Sequence, residues 1–362
     1  MTVPDAFTGT RFGNTGEFRA VVVGTGWHNG RMPSRVLGPL AVALMLLAGC
    51  GAVPPTSPAS PSGQGSGSVP TTTSSPAVSG SPAPTTAEPS PTATPVAKEL
   101  PRGGREVFPQ YRLFGYSGYP GAPGQGRLGI GSLDERLKEI ESRGRAWRGG
   151  RQLLPVMELI AVTVHGSPGR DGMYRTRAPE AVIKRWHDAA TRNKALLLLN
   201  IQPGRADFVD EVKYFAKWLT YPNVGVALDP EWAVGKGQVP GRVYGSTSGE
   251  ELNDVAVYLS TLVADNNLPE KVMLFHQLHV NIVKKPRDLK RQQGVVYINS
   301  VDGIGSPGAK VSTYTRVIRT RPSYVHAGFK LFYKEDVDTG KRLMTAKEVL
   351  RLKPQPEYIL FE

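Results

Sequence analysis

The chain has 362 residues, 44 Lys and Arg against 31 Asp and Glu for a net charge of +13, and one Cys. A single cysteine excludes any disulfide within the chain. Composition is uneven: only from about residue 101 onward is it that of an ordinary globular domain, and some 260 residues is the size of one α/β barrel.

Residues 1–31 have no apolar run of their own, which makes Met32 a candidate start. In residues 32–49, Arg35 supplies a positive charge and Val36 to Leu47 an apolar run. That run is shorter than the ~20 residues a membrane-spanning helix needs. It ends Leu47-Ala48-Gly49-Cys50. This ending resembles the lipobox of bacterial lipoproteins, and the resemblance implies cleavage before Cys50, a lipid on its sulfur and a place at the outer face of the cell membrane. The alternative is a signal-anchor helix with an incidental cysteine. From Cys50 to about residue 100 the sequence is almost all Pro, Ser, Thr, Gly and Ala, with hardly a charge. Such a segment cannot bury enough apolar surface to offset its conformational entropy, so it is expected to be a disordered tether. Its Ser and Thr also permit O-glycosylation. On an exported chain the positive charge points to lipid headgroups and wall polymers rather than nucleic acid, although no run of five or six like charges marks a binding tail.

Residues 101–362 alternate strand-like apolar runs with helical patterns. Tyr111 to Tyr116 is the first predicted strand, followed by a helix from about Ser132 to Arg148 that Ser132 and Glu135 can cap. Leu153 to Val164 is the second strand, and Pro179 to Asn193 a helix with proline in its first turn. The third strand, Ala195 to Ile201, is a leucine run without polar alternation, as expected of a strand covered on both faces. A helix from Phe208 to Leu219 leads to the fourth strand, Val224 to Leu228, and a helix from Glu250 to Asn266 to the fifth, Lys271 to Gln277. Val295 to Val301 is sixth, a helix from Lys310 to Arg319 follows, and Val325 to Tyr333 is seventh. Helix Thr345 to Leu352 precedes the eighth, Tyr358 to Phe361. Eight strands alternating with helices predict a (β/α)₈ TIM-like barrel, with an open doubly wound sheet as the second choice. That second choice lacks its usual nucleotide motifs: there is no GxGxxG opening a helix and no GxxxxGK[ST].

Barrel active sites lie at the carboxyl ends of the strands. The third strand ends Asn200-Ile201-Gln202, the fourth Asp229-Pro230-Glu231-Trp232, the fifth His276-Gln277, the sixth Asn299-Ser300-Val301-Asp302, and the seventh runs Lys330 to Tyr333. Tyr116 closes the first, and His165 follows the second. Because side chains alternate along a strand, Asp229 and Glu231 are expected to point the same way, with Gly225 and Ala227 inside the barrel and Val224, Val226 and Leu228 facing the helices. Two carboxylates so placed suit glycoside hydrolysis: a close second negative charge raises the pKa of one, which stays protonated as acid, and the other stabilises a cationic transition state or orients a neighbouring group. Glu231, lying further out, is the expected acid and Asp229 its partner. Trp232, Tyr116, Phe332 and Tyr333 offer flat faces for sugar rings, and Asn200, His276, Gln277, Asp302 and Lys330 are expected to line the cleft.

Leu228-Asp229-Pro230-Glu231-Trp232 resembles the end of the catalytic motif of chitinase-type glycoside hydrolases of family 18, and the D-x-E of family 25 lysozymes is similar. The resemblance implies Glu231 as general acid and Asp229 as assisting carboxylate. Two further aspartates of the family 18 pattern are replaced here by Ala227 and Val224. His276 and His279 raise the question of a metal, but H-x-x-H across a strand end is not a strong zinc signature, so neither metal nor cofactor is expected. A Schiff base on Lys330 yields to an ion pair with Asp302 or Glu231. No G-x-S-x-G supports a serine nucleophile. The sequence therefore predicts an exported, lipid-anchored glycoside hydrolase acting on a polysaccharide; the alternative is a non-catalytic carbohydrate-binding lipoprotein on the same barrel. It does not set the oligomeric state.

Overall fold

The computed structural model describes residues 97–338 and 341–362; the leader, Cys50 and the tether up to residue 96 lie outside the described residues. The strands are β1 Tyr111–Gly118, β2 Gln152–Val164, β3 Arg175–Arg177, β4 Leu196–Ile201, β5 Val224–Leu228, β6 Thr247–Ser248, β7 Lys271–Gln277, β8 Val283–Lys284, β9 Val295–Val301, β10 His326–Leu331 and β11 Tyr358–Phe361. Eight of them pair in parallel in the order β1-β11-β10-β9-β7-β5-β4-β2, and β1 also pairs with β2, so the sheet closes on itself. This is the expected TIM-like (β/α)₈ barrel.

Helices α1 Leu133–Gly144, α2 Glu180–Arg192, α3 Phe208–Tyr214, α4 Ala216–Leu219, α5 Gly249–Asp265, α6 Pro307–Ile318 and α7 Ala346–Val349 accompany the strands. The Ser132–Glu135 capping box forms at the start of α1. The single helix expected from Phe208 to Leu219 is instead two, broken at Phe215. Between β7 and β9 the chain runs through β8 and a short 3-10 turn, Pro286–Asp288, forming a strap that packs Ile282, Val283 and Leu289 inward.

Alternation along the strands divides the apolar residues into two clusters. Tyr111, Leu154, Leu198, Leu274, Ile298 and Leu360 fill the barrel interior, and Leu100, Val107 and Phe108 belong to the same cluster, plugging the end where the strands begin. Phe114, Leu197, Leu199, Val226, Phe275 and Phe329 point outward to Ile140, Trp186, Leu259 and Tyr314 of the surrounding helices. Two interior glycines are set by close approach: a Cβ on Gly115 would collide with the Val156 carbonyl across the β1–β2 seam, and one on Gly225 would lie 2.6 Å from the Val272 carbonyl oxygen. Gly225 and Ala227 thus face inward and Val224, Val226 and Leu228 outward, as the strand pattern predicts.

Candidate active site

The same period of two that fills the barrel with Leu and Val delivers a polar side chain from each barrel strand to the inner face at its carboxyl end. Leu113 is followed by Ser117, Val156 by Glu158, Leu198 by Asn200, Ala227 by Asp229, Leu274 by His276, Ile298 by Ser300 and Asp302, Gly328 by Lys330 and Leu360 by Glu362. These residues bond to one another. The Asn200 amide donates to Glu158 Oε1 at 3.1 Å and to Asp229 Oδ1 at 2.9 Å, and the Gln202 amide donates to Asp229 Oδ2 at 3.2 Å. His276 is the hub: its Nε2 lies 3.0 Å from Glu158 Oε1 and 3.8 Å from Asp229 Oδ1, and its Nδ1 lies 2.7 Å from Asp302 Oδ2. Lys330 Nζ is 2.7 Å from Glu362 Oε2 and 3.6 Å from Asp302 Oδ2. The Tyr358 hydroxyl donates to Glu158 Oε2 at 2.6 Å, and Ser117 and Ser300 donate to Glu362 and Asp302.

Enclosure sets the charge states. Burial opposes a charge on His276, but Asp302 and Glu158 outweigh it and hold the imidazole protonated well above its ordinary range. Burial likewise works against Lys330, and Glu362 and Asp302 overcome it. For Glu158 and Asp302, burial is outweighed by His276 and Lys330, and both stay ionised below the usual carboxylate range. Asp229 is different: burial, with Glu158 and Asp302 adding to it, outweighs His276 and Lys330 and pushes its carboxyl up to about 6. Glu231 is pushed well above its ordinary value, first by burial and then by the charges of Asp229 and Asp302. The proton of this pair is therefore held more tightly by Glu231 than by Asp229.

Glu231 reaches this site by a route the strand pattern did not predict. β5 stops at Leu228, and Pro230–Trp232 form a 3-10 turn, so Glu231 is not the next inward position on a strand. Proline after Asp229 removes a backbone donor and turns the chain. The Glu231 carbonyl accepts from Gly245 at 2.7 Å, which fixes the turn, while its buried Oε2 has no hydrogen-bond partner. Trp232 is half-buried beside it, and Tyr244 of the following loop lies within electrostatic reach of its carboxyl.

Asn200, Asp229, His276, Asp302 and Lys330 come together as expected at the mouth. Tyr116, Tyr333 and Gln277 do not join them. Tyr116 belongs to the outward cluster and its hydroxyl lies 3.2 Å from Glu139 Oε1 of α1; Tyr333 bonds to the Tyr116 hydroxyl and stacks on Phe361. Both correct the expectation of sugar platforms at the mouth: the position after an inward residue faces the helices. For the same reason Gln277, next to inward His276, faces out, accepting from Asn299 and donating to the His279 carbonyl. His165 is partly exposed, with Thr176 and Ser167 as its partners. The expected Lys330–Asp302 pair is present at 3.6 Å, with Glu362 the nearer carboxylate.

Sequence reasoning missed Glu158, Ser117, Tyr358 and Glu362. For Glu158 a signal existed: it is the one charge in the apolar run Leu153 to Val164, two residues beyond inward Val156. Among the described residues no grouping of three or more His, Cys, Asp or Glu is arranged to hold a metal ion.

No family model matches the chain, and no curated protein matches it. Among solved structures it is similar to a hyperthermophilic endo-β-1,4-glucanase in complex with substrate, at 12% identity and a TM-score of 0.36 over 64% of this chain and 82% of that one. A D-psicose 3-epimerase in the presence of D-fructose is similar at 11% identity and a TM-score of 0.36, over 69% of this chain and 84% of the other. A GH5-4 broad specificity endoglucanase from Clostridium longisporum is similar at 12% identity and a TM-score of 0.35, over 64% and 76%. The ground for the fold is the closed strand pairing itself.

Proposed function

We propose that the chain is a barrel glycoside hydrolase, exported and lipid-anchored through Cys50, that cleaves a cell-envelope or extracellular polysaccharide by acid–base catalysis. The observation that carries this reading is the pair at the mouth: Glu231, kept protonated by burial and by Asp229 and Asp302, next to Asp229, kept ionised at neutral pH and held by two amides. Glu231 donates its proton to the leaving glycosidic oxygen; Asp229 faces the positive charge that develops on the sugar. Its two amide bonds and the protonated His276 behind it fix the carboxylate before substrate arrives, so little reorganisation is needed in the transition state. Trp232 and the 39% exposed Tyr244 offer apolar faces for a sugar ring on the solvent side of Glu231.

The test is release of new reducing ends from envelope polysaccharides and a panel of glycans, with wild type beside Glu231→Gln. Loss of at least a hundredfold in rate with glycan binding retained supports the reading. A second reading, glycan binding without turnover, is favoured by one observation: both Asp229 oxygens are already engaged by protein amides. Equal binding by both proteins with no products establishes that reading and removes the first.

A further inference from the structure

The mouth is short of positive charge. Five carboxyl groups, Glu158, Asp229, Glu231, Asp302 and Glu362, meet two cations there, His276 and Lys330. Even with a proton on Glu231 and another on Asp229, the remaining three, Glu158, Asp302 and Glu362, outnumber the two cations. The charged groups next to this ring do not make up the difference: Lys310 is matched by Asp336, and Arg175 and Arg177 by Asp171 and Glu211. From Ala233, two residues past Glu231, a cleft of about 550 Å³ opens in which Asp207, Glu251 and Asp254 stand against Arg205 and Lys236. The Arg205 guanidinium is already engaged, donating to the Gln238 carbonyl.

The hydrogen bonds have the same bias. Asn200 gives its amide hydrogens to Glu158 and Asp229, and Gln202 donates to Asp229. The hydroxyls of Tyr358, Ser117 and Ser300 go to Glu158, Glu362 and Asp302. Lys330 lies against Glu362 and Asp302, and His276 between Glu158 and Asp302. Two buried oxygens remain without a partner, Asn200 Oδ1 and Glu231 Oε2. Turning the Asn200 amide over would set its oxygen against two carboxylates, so the unpaired atom there is an acceptor. Apart from the proton that Glu231 holds for the leaving oxygen, the ring thus offers acceptors, and a ligand that completes it brings donors. A sugar hydroxyl brings one donor with two acceptor lone pairs, and an acetamido group brings a carbonyl that needs a donor of its own. An ammonium brings three donors, a charge and no acceptor.

We propose that the mouth takes a glycan carrying a free, protonated amine on the ring bound at Asp229 and Glu231, that is, a polymer of amino sugars without N-acetyl groups. This rests on the glycan reading given above and names its substrate class. An ammonium donating to a carboxylate forms a charge-assisted hydrogen bond, about twice as strong as a neutral one. A cleft lined by one sign of charge also concentrates ligands of the other. Selectivity has a repulsive side as well: an acetamido or uronic acid group brought to the same place sets acceptors against acceptors.

The experiment titrates the full chain, with Cys50→Ser so that no lipid interferes, with three hexamers of one backbone and linkage at a pH that keeps the amine protonated. These are the β-1,4-glucosamine hexamer, its N-acetylated form and cellohexaose, which differ only at C2; methyl glycosides of glucosamine and galactosamine in both anomers, each beside its N-acetylated form, repeat the comparison free of linkage. Calorimetry is expected to show the amine bound at least tenfold more tightly than the acetamido or hydroxyl form, with the advantage shrinking as salt is added. Glu362, the partly exposed member of the ring, is the acid to replace: Glu362→Gln should reduce the advantage at least threefold, and Asp265→Asn, exposed at the last residue of α5, should leave it unchanged. Equal or tighter binding of the acetamido or hydroxyl form, no binding of any amine, or an advantage that the two variants alter alike overturns the proposal. New reducing ends from the same hexamers score the hydrolase reading separately. Products from cellohexaose or the acetylated hexamer alone, lost in Glu231→Gln, keep that reading and overturn this one, whereas amine-selective binding without products keeps this one and removes turnover.

Discussion

Burial and the charges of Asp229 and Asp302 push the Glu231 carboxyl above its ordinary value, and that has a consequence for stability as well as for chemistry. Because the folded state raises its pKa above the ordinary 4.5, the stability it contributes is full below that value and is lost as pH rises. Glutamine does not titrate. Glu231→Gln is therefore expected to melt at a higher temperature than wild type at pH 8, with the difference shrinking toward pH 4; a melting temperature below wild type at every pH contradicts this charge assignment. On the proposed reading Asp229 supplies the acid limb of activity. With its carboxyl near 6, turnover should fall as pH drops through about 6, because protonated Asp229 no longer faces a developing cation. Glu158 raises that value, so Glu158→Gln should move the limb to lower pH in a kcat/KM profile. Asp229, His276, Asp302 and Lys330 were legible because polar residues that end apolar strands of a barrel have one place to go. Glu158 was not, since it sits inside the run and its partners come from Asn200, His276 and Tyr358, far apart in sequence.

At the scale of elements, the barrel depends on how its pieces are clamped. Downstream of the second expected strand, β3 folds back antiparallel on β2, and Glu211 of α3 holds it there by accepting from both Arg175 and Arg177 at 2.7–2.8 Å. Glu211 is fully buried, so Glu211→Ala leaves two guanidinium groups without their shared partner and should cost about 3 kcal/mol in urea unfolding. Closure depends on the β1–β2 seam, where Gly115 lets two backbones meet. Gly115→Ala forces that seam apart; it should abolish soluble expression or lower the melting temperature by more than ten degrees or so, whereas Gly150→Ala, which meets open space, suffers only the strain of its positive φ. The order and type of the eight strands were readable because each is an apolar run of strand length. The break at Phe215 and the hairpin at β3 were not: the first answers to packing of α3 against α5, and the second to a charge on another element.

For the whole molecule, the proposed reading assigns attachment to Cys50 and chemistry to the barrel. Cys50→Ser is expected to shift the protein from the membrane fraction to the soluble or secreted fraction, and undiminished membrane association with no acyl label on wild type would sink the lipid anchor.

What the sequence determined by itself was whatever depends on neighbours along the chain: the strand and helix order, the Ser132 cap and the parity that places Gly225 and Ala227 inside. Those follow from local periodicity and steric preference. The tertiary structure decided which polar residues share a site and with what charge. Strand closure brings Glu158 to His276 across 118 residues and puts Tyr358 on the same carboxylate across 200. It also sends Tyr116, Tyr333 and Gln277 to the helix side, and places Glu231 by a turn rather than by strand alternation. Protonation of Glu231 and His276 is likewise a property of the assembled mouth, because it depends on desolvation and on charges that only the closed barrel brings within reach.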